Sequence, residues 1–180
     1  MTIIDQEQFW VHQARKGNHR AFRNLYDLHV TPLYRFLTQF SRSHDEVADW
    51  VQRSFIKVFE HLPQFDGRSK FSTWLFTVGL NEMRMDRRRR EPHSSPLENE
   101  EAALSPDDQT ENFVWRESMT SWLGELEENK RMVFLLYEVE GYSHAEIASM
   151  LTIGESTSRT FLTRAKQHLK KRWNEEVEQQ

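Results

Sequence analysis

Between Pro63 and Trp74 the chain sets three aromatic rings, Phe65, Phe71 and Trp74, among two cations, Arg68 and Lys70, and several hydroxyls. Rings offer flat faces to unstacked bases, and cations hold the phosphates between them. The chemistry in view is capture of single-stranded nucleic acid. A packing role competes: Phe71 and Trp74 suit a core, and Phe65 suits a loop anchor. Trp74 taken alone favours the core, whereas the loop as a whole favours nucleic acid. Further on, Arg84-Met85-Asp86-Arg87-Arg88-Arg89-Arg90 concentrates positive charge. Cations at a helix C-terminus each gain about 0.3–1 kcal/mol from its dipole, which one or two arginines satisfy. Four in succession repel one another and point to a polyanion.

A second constellation follows Ser143. A short helix with Ala145, Ile147, Ala148 and Leu151 on its inner face is followed by the turn Thr152-Ile153-Gly154. A longer helix then runs from Ser156 to about Trp173, with Phe161, Leu162, Ala165 and Leu169 inside. Short helix, tight turn and longer helix make a helix-turn-helix, whose second helix enters the major groove. Its N-terminal end presents Ser156, Thr157, Ser158, Arg159, Thr160 and Thr163, with Arg164, Lys166, Lys170, Lys171 and Arg172 further on. Between residues 155 and 172 six basic residues face one acid, Glu155. Arginine pairs bidentately with guanine, while hydroxyls and lysines hold phosphates. A solvated helix with cations biased to its C-terminus is the competing account.

Catalytic chemistry finds little support. The eight histidines, at positions 12, 19, 29, 44, 61, 93, 144 and 168, show no His-Glu-x-x-His spacing. No glycine-rich phosphate loop or nucleophile motif is visible. Cysteine is absent, so disulfides and thiol chemistry are excluded. Neither an enzyme nor a metal or other cofactor is expected.

The net charge of −4 over 180 residues looks wrong for a nucleic-acid binder. It is an average over unlike parts. Residues 1–90 carry 15 basic and 10 acidic residues; residues 91–114 carry none and 7; residues 115–180 carry 9 and 11. The middle stretch also holds Pro92, Pro96 and Pro106, so residues 91–112 read as an acidic linker. It would join a module at 1–90 to a module at 113–180. A hydrophobic content of 37% supports packed domains. No secretory signal and no bilayer-spanning apolar run is visible, so no membrane insertion and a cytoplasmic address are expected.

The elements that must position these residues are all helical. From Ser43 to Leu62 the apolar residues Val47, Trp50, Val51, Phe55, Val58, Phe59 and Leu62 recur at steps of three and four. Ser43 with Glu46 forms a capping box, and Pro63 ends the helix. Upstream, Asp5 to Lys16 and His19 to Phe40 read as helices, the second kinked or divided at Pro32. Its inner residues are Ala21, Phe22, Leu25, Tyr26, Leu33, Phe36 and Leu37. Ser72 to Arg90 is a fourth helix, burying Leu75, Phe76, Val78, Leu80 and Met83. Asn112 to Leu126 follows, with Val114, Met119, Trp122, Leu123 and Leu126 inward. Lys130 to Glu140 forms the next helix, ended by Gly141, and Ser143 with Glu146 makes a second capping box.

Taken together these segments resemble a bacterial sigma factor of the extracytoplasmic-function group, which retains regions 2 and 4. The resemblance lies in Gly17-Asn18-His19-Arg20-Ala21-Phe22, Leu33-Tyr34-Arg35-Phe36-Leu37 and Asp49-Trp50-Val51-Gln52-Arg53-Ser54-Phe55. It continues through Phe65-Asp66-Gly67-Arg68-Ser69-Lys70-Phe71-Ser72-Thr73-Trp74-Leu75 and Gly141-Tyr142-Ser143-His144-Ala145-Glu146-Ile147-Ala148. It implies an all-α chain, a region 2 bundle and a region 4 helix-turn-helix on a flexible linker.

It further implies that Glu46, Asp49, Gln52 and Arg53 dock on a coiled coil of core RNA polymerase. Phe65, Arg68, Lys70, Trp74 and Asn81 would capture −10 promoter bases, with Arg87 and Arg88 on the same DNA. Arg159, Thr160, Thr163, Arg164 and Lys166 would read the −35 element. An anti-sigma factor is the implied regulator. Ala48 and Arg53 stand where the family often has acids, Leu80 where an arginine is frequent, and Ser158 where valine is common. A stand-alone helix-turn-helix repressor or activator is the rival reading, but it needs a dimer helix, and none is apparent.

Overall fold

The computed structural model describes residues 3–90 and 112–178. Among them are eight α-helices: α1 Ile3–Arg15, α2 His19–Leu37, α3 His44–His61, α4 Phe71–Arg90, α5 Asn112–Gly124, α6 Glu128–Phe134, α7 His144–Leu151 and α8 Glu155–Val177. The chain is all-α, with no strand among the described residues. None of these helices is long and apolar enough to cross a membrane. The helices divide into two compact units, α1 to α4 and α5 to α8. The expected acidic linker at 91–112 lies outside the described residues except for Asn112.

In the first unit, α1 packs on α2, α2 on α3 and α3 on α4. Gly17 takes a φ of 87° after α1, a conformation that costs glycine little. Asn18 then starts α2, its Oδ1 accepting from the Ala21 N–H at 3.1 Å. The helix runs unbroken through Pro32, so the expected division does not occur; it ends at Leu37, and a short 3₁₀ turn covers Thr38–Phe40. Ser43 caps α3, its Oγ accepting from the Glu46 N–H at 3.3 Å. Leu25, Leu33, Leu37, Trp50, Val58, Leu75, Phe76, Leu80 and Met83 are each at most 1% exposed. Each such side chain contributes about 1.5–3 kcal/mol by leaving water. A Cβ at Gly79 would stand 2.9 Å from Leu33 Cδ1, so α4 crosses α2 closely there. Phe59, expected inside, is 42% exposed. It lies at the edge of a stripe wider than α2 and α4 can cover. Phe22, Tyr26 and Val78 are half-buried at similar edges.

In the second unit α6 and α7 pack on α8. The capping box at Ser143 is complete: Ser143 Oγ accepts from the Glu146 N–H, and the Glu146 carboxylate accepts from the Ser143 N–H at 2.9 Å. Met132, Val133, Leu136, Ile147 and Ala165 are wholly buried. The single helix expected over Lys130 to Glu140 is instead α6 followed by a π-helical turn at Leu135–Val139. The Glu140 N–H bonds to the Leu135 carbonyl, five residues back, at 3.1 Å.

Three other expectations shift. Ala145 is exposed and Met150 buried, because α7 turns Ile147, Ala148, Met150 and Leu151 inward. Met119 is exposed while Thr120 is buried, and the side chain of Val114 lies outside the described residues. Ser158 is wholly buried on α8, and Phe161 only half so.

Thr152 ends α7 with φ 56° and ψ 47°, the left-handed region, which is strained for a β-branched residue. Thr152→Gly is expected to stabilise the second unit by about 0.5–1 kcal/mol, the relieved strain less the added unfolded-chain entropy. Thermal unfolding followed by far-ultraviolet circular dichroism would show the rise in midpoint.

Candidate nucleic-acid interface

The loop before α4 is more folded than its composition suggests. Phe65 is 8% exposed and Phe71 is 3% exposed. Phe65 stacks on Trp74 with centroids 4.9 Å apart and planes 18° apart, and meets Phe71 edge-on at 6.3 Å. Phe71 also packs on the His29 ring at 5.4 Å, which gives it the packing role. A free Phe65 face is therefore not found here: Trp74 covers it, and the half-buried Trp74 is the more open ring of the stack. The cations are exposed to solvent. Arg68 has a side chain 89% exposed, held at the loop by Asp66, which accepts from the Arg68 N–H and pairs with its Nε, both at 3.0 Å. Lys70 is exposed.

Helix α4 carries the remaining candidates. Trp74, Val78, Asn81, Met85 and Arg88 recur at steps of four and three on its less buried side. Leu75, Phe76, Gly79, Leu80, Glu82, Met83 and Asp86 face the unit's interior. Trp74, Asn81 and Arg88 thus share one stripe about 21 Å long at 1.5 Å per residue. The seven-residue spacing was available in the sequence as a signal. Arg87 is half-buried and sits beside the stripe.

The expected docking residues on α3 separate into two groups. Asp49 and Gln52 are exposed. Val51, Gln52, Phe55, Ile56 and Phe59 line an open apolar groove of about 740 Å³, closed on its other side by Phe22, Tyr26, Val30 and Tyr34 of α2. Arg53 is half-buried. Its guanidinium turns toward α4, with Nη2 3.3 Å from Asp86 and Nε 3.6 Å from Glu82; Nη2 also lies 3.0 Å from Asp49. The Trp50 indole N–H donates to Asp86 at 3.1 Å, and Lys57 pairs with Glu82. Arg90 pairs with Asp86 at 3.1 Å and with Glu46. Helical periodicity shows that residue 53 lies near a polar edge; it does not show that two acids 29 and 33 positions later would face it.

In the second unit Arg159, Thr160, Thr163, Arg164 and Lys166 are all exposed on the first turns of α8. Arg159 pairs with Glu155 at 2.9 Å. The hydroxyls of Thr160 and Thr163 donate back to the carbonyls of Ser156 and Arg159, each at 2.9 Å. Lys166 is tied to Glu138 of the π turn at 2.6 Å. Further along, Arg172 is raised above the ordinary arginine value by its hydrogen bond to Glu175 and by Glu125, and Glu175 is lowered by the same bond. The basic end of α8 is thus partly neutralised within its own unit.

One polar set escaped the sequence reading. His144 Nδ1 and the buried Ser158 Oγ share a hydrogen bond of 2.9 Å, and the Tyr137 ring stacks on His144 at 4.5 Å. A serine where the helix stripe calls for an apolar residue was the available signal. His144 titrates below its ordinary value, first because burial disfavours the charge, then because Arg159 repels it; Glu155 opposes both. As pH falls through about 6.5 the unfolded chain therefore takes up this proton before the folded one, and stability declines. Unfolding at about pH 7.5 and about pH 5.5 is expected to show a loss that His144→Asn reduces.

Comparison with known proteins agrees with this geometry. Residues 25–92 match the family profile for sigma-70 region 2, and residues 116–169 match that for sigma-70 region 4. The chain is 30% identical to the ECF RNA polymerase sigma-E factor of Salmonella typhimurium, across 89% of this chain and 91% of that protein. It is 27% identical to the RNA polymerase sigma-H factor of Pseudomonas aeruginosa, across 95% of each. The solved structure of CnrH in complex with the cytosolic domain of CnrY superimposes with a TM-score of 0.72 at 26% identity, covering 94% of this chain and 97% of CnrH. An exposed cationic and aromatic stripe, a helix-turn-helix and these matches lead to one assignment: the chain belongs to the extracytoplasmic-function group of the sigma-70 family.

Proposed function

We propose that this chain docks on core RNA polymerase and directs it to promoters, with residues 1–90 opening the −10 element and residues 113–180 reading the −35 element. Residues 91–112 are the tether between them. The stripe of Trp74, Asn81 and Arg88 on α4, with Arg68 and Lys70 at its start, carries this reading. It aligns a ring, an amide and cations as a strand of unstacked bases requires. Phe65 backs Trp74, and Arg87 reinforces the positive end. Gln52, which lines the apolar groove of α2 and α3, the exposed Asp49 and, near the start of α3, Glu46 suit a coiled coil of the polymerase. Arg159, Thr160, Thr163, Arg164 and Lys166 face the upstream duplex. The chain acts in the cytoplasm, and phosphodiester chemistry is left to the polymerase.

Control by an anti-sigma factor fits the same groove, whose Ile56 and Phe59 are 49% and 42% exposed. A relative, CnrH, has been solved with the cytosolic domain of CnrY. Retention of core polymerase from lysate, followed by run-off transcription, tests the proposal. Promoter-dependent transcripts that need the added chain are expected. If polymerase is not retained and no such transcript appears, the proposal fails.

A further inference from the structure

The seam between α3 and α4 carries two buried acids. Glu82 and Asp86 lie one turn apart on α4, with side chains 6% and 11% exposed. A buried carboxylate left without a cation or donor costs several kcal/mol, so these two constrain what faces them. Arg53 is the α3 residue near both: its Nη2 donates to Asp86 at 3.3 Å, while its Nε stands 3.6 Å from Glu82, an ion pair without a hydrogen bond; Lys57 pairs with Glu82 and Trp50 donates to Asp86. The planar guanidinium can hold two separated carboxylates at once; a point-charge ammonium serves this geometry poorly.

Glu82 and Asp86 directly follow Asn81 and Met85 in sequence, about 100° further round α4. Fixing the two acids against α3 therefore fixes the direction in which Asn81 and Arg88 point. A slip of one residue would rotate the stripe by about 100°.

We infer that Arg53 is a positioning residue: it sets the rotation of α4 against α3 and thereby aims the Trp74, Asn81 and Arg88 stripe at the captured strand, and it does not touch the polymerase. The inference rests on the proposed reading of α4 as the strand-capturing helix. Arg53 also pairs with Asp49, so the clamp begins one side chain from the docking face. It carries the position of the docked helix directly into that of the capturing helix.

The test uses holoenzyme assembled from the full chain and core polymerase, with a fluorescent single-stranded oligonucleotide carrying the non-template −10 sequence. Arg53→Ala is expected to weaken capture of the strand by about tenfold while core affinity changes less than about threefold. Arg53→Lys should recover only part of the loss. Weakened core affinity with unchanged capture would overturn the inference and return Arg53 to the docking face.

If Arg53→Ala lowers both, because the unit loosens, a double-mutant cycle with the neutral variants Arg53→Gln and Glu82→Gln decides. Coupled, non-additive effects on capture support the clamp; additive losses refute it. Asn81→Ala and Arg88→Ala, measured alongside, keep the two readings apart. If they leave capture intact, the α4 reading fails; if they weaken it while Arg53→Ala does not, the clamp fails.

Discussion

Trp50→Ala is expected to destabilise the first unit by about 3–5 kcal/mol, the range for emptying a buried aromatic site. Trp50 is 1% exposed and among the largest wholly buried side chains of the chain. Its removal leaves a void beneath α3 and also takes a donor from Asp86, which is itself 9% exposed. The two losses separate experimentally. Trp50→Phe keeps most of the ring but not the N–H, and is expected to cost about 1–3 kcal/mol, the penalty of a buried acceptor short of one donor. Native-state hydrogen exchange of the α3 and α4 amides reports on this unit inside the full chain. Protection in α3 and α4 should fall with little change in α7 and α8. A Trp50→Ala loss below about 1 kcal/mol would mean that the seam relaxes over the void, contrary to the packing described.

Arg159→Ala is expected to remove about 1–3 kcal/mol of discrimination at one base pair of the upstream element. Arg159 stands exposed in the second turn of α8, at the edge of the buried stripe of Ser158, Leu162 and Ala165. Its pair with Glu155 is between exposed groups, worth about 0–1 kcal/mol, and yields readily to a guanine edge. Holoenzyme affinity should be compared on a promoter and on versions with single upstream substitutions. The variant should bind all of them alike at the position Arg159 reads. Lys170→Ala provides the contrast: a phosphate contact weakens binding evenly across sequences and lowers the salt dependence. Undiminished discrimination in Arg159→Ala would move base reading to Thr160, Thr163 or Arg164.

The element pattern was legible because helices announce their faces and ends locally. Ser43 and Ser143 mark starts, Gly141 a stop, and apolar steps of three and four the buried stripes. The cationic and aromatic residues on α4 and α8 were legible for the same reason, since exposure follows from helical phase. What could not be read depends on neighbours distant in sequence. Arg53 looks like any polar-edge arginine until α4 brings Glu82 and Asp86 against it. Phe65 looks open until Trp74, nine residues on, folds over its face. Ser158 looks like a misplaced polar residue until His144 meets it. Each is a pairing between elements, and periodicity within one element carries no information on which neighbour it will meet.

The π-helical turn at Leu135–Val139 bears on how chain length can drift within this fold. A π turn is an α-helix carrying one residue to spare. Deleting a residue there can be absorbed by tightening the turn, and Gly141 still delivers the chain to Ser143. The same deletion in α6 would swing everything downstream by about 100° and misaim the helix-turn-helix. Among relatives, single-residue gains and losses before the helix-turn-helix should therefore collect at this turn, which works as an expansion joint between the packed core of the second unit and its DNA-reading end.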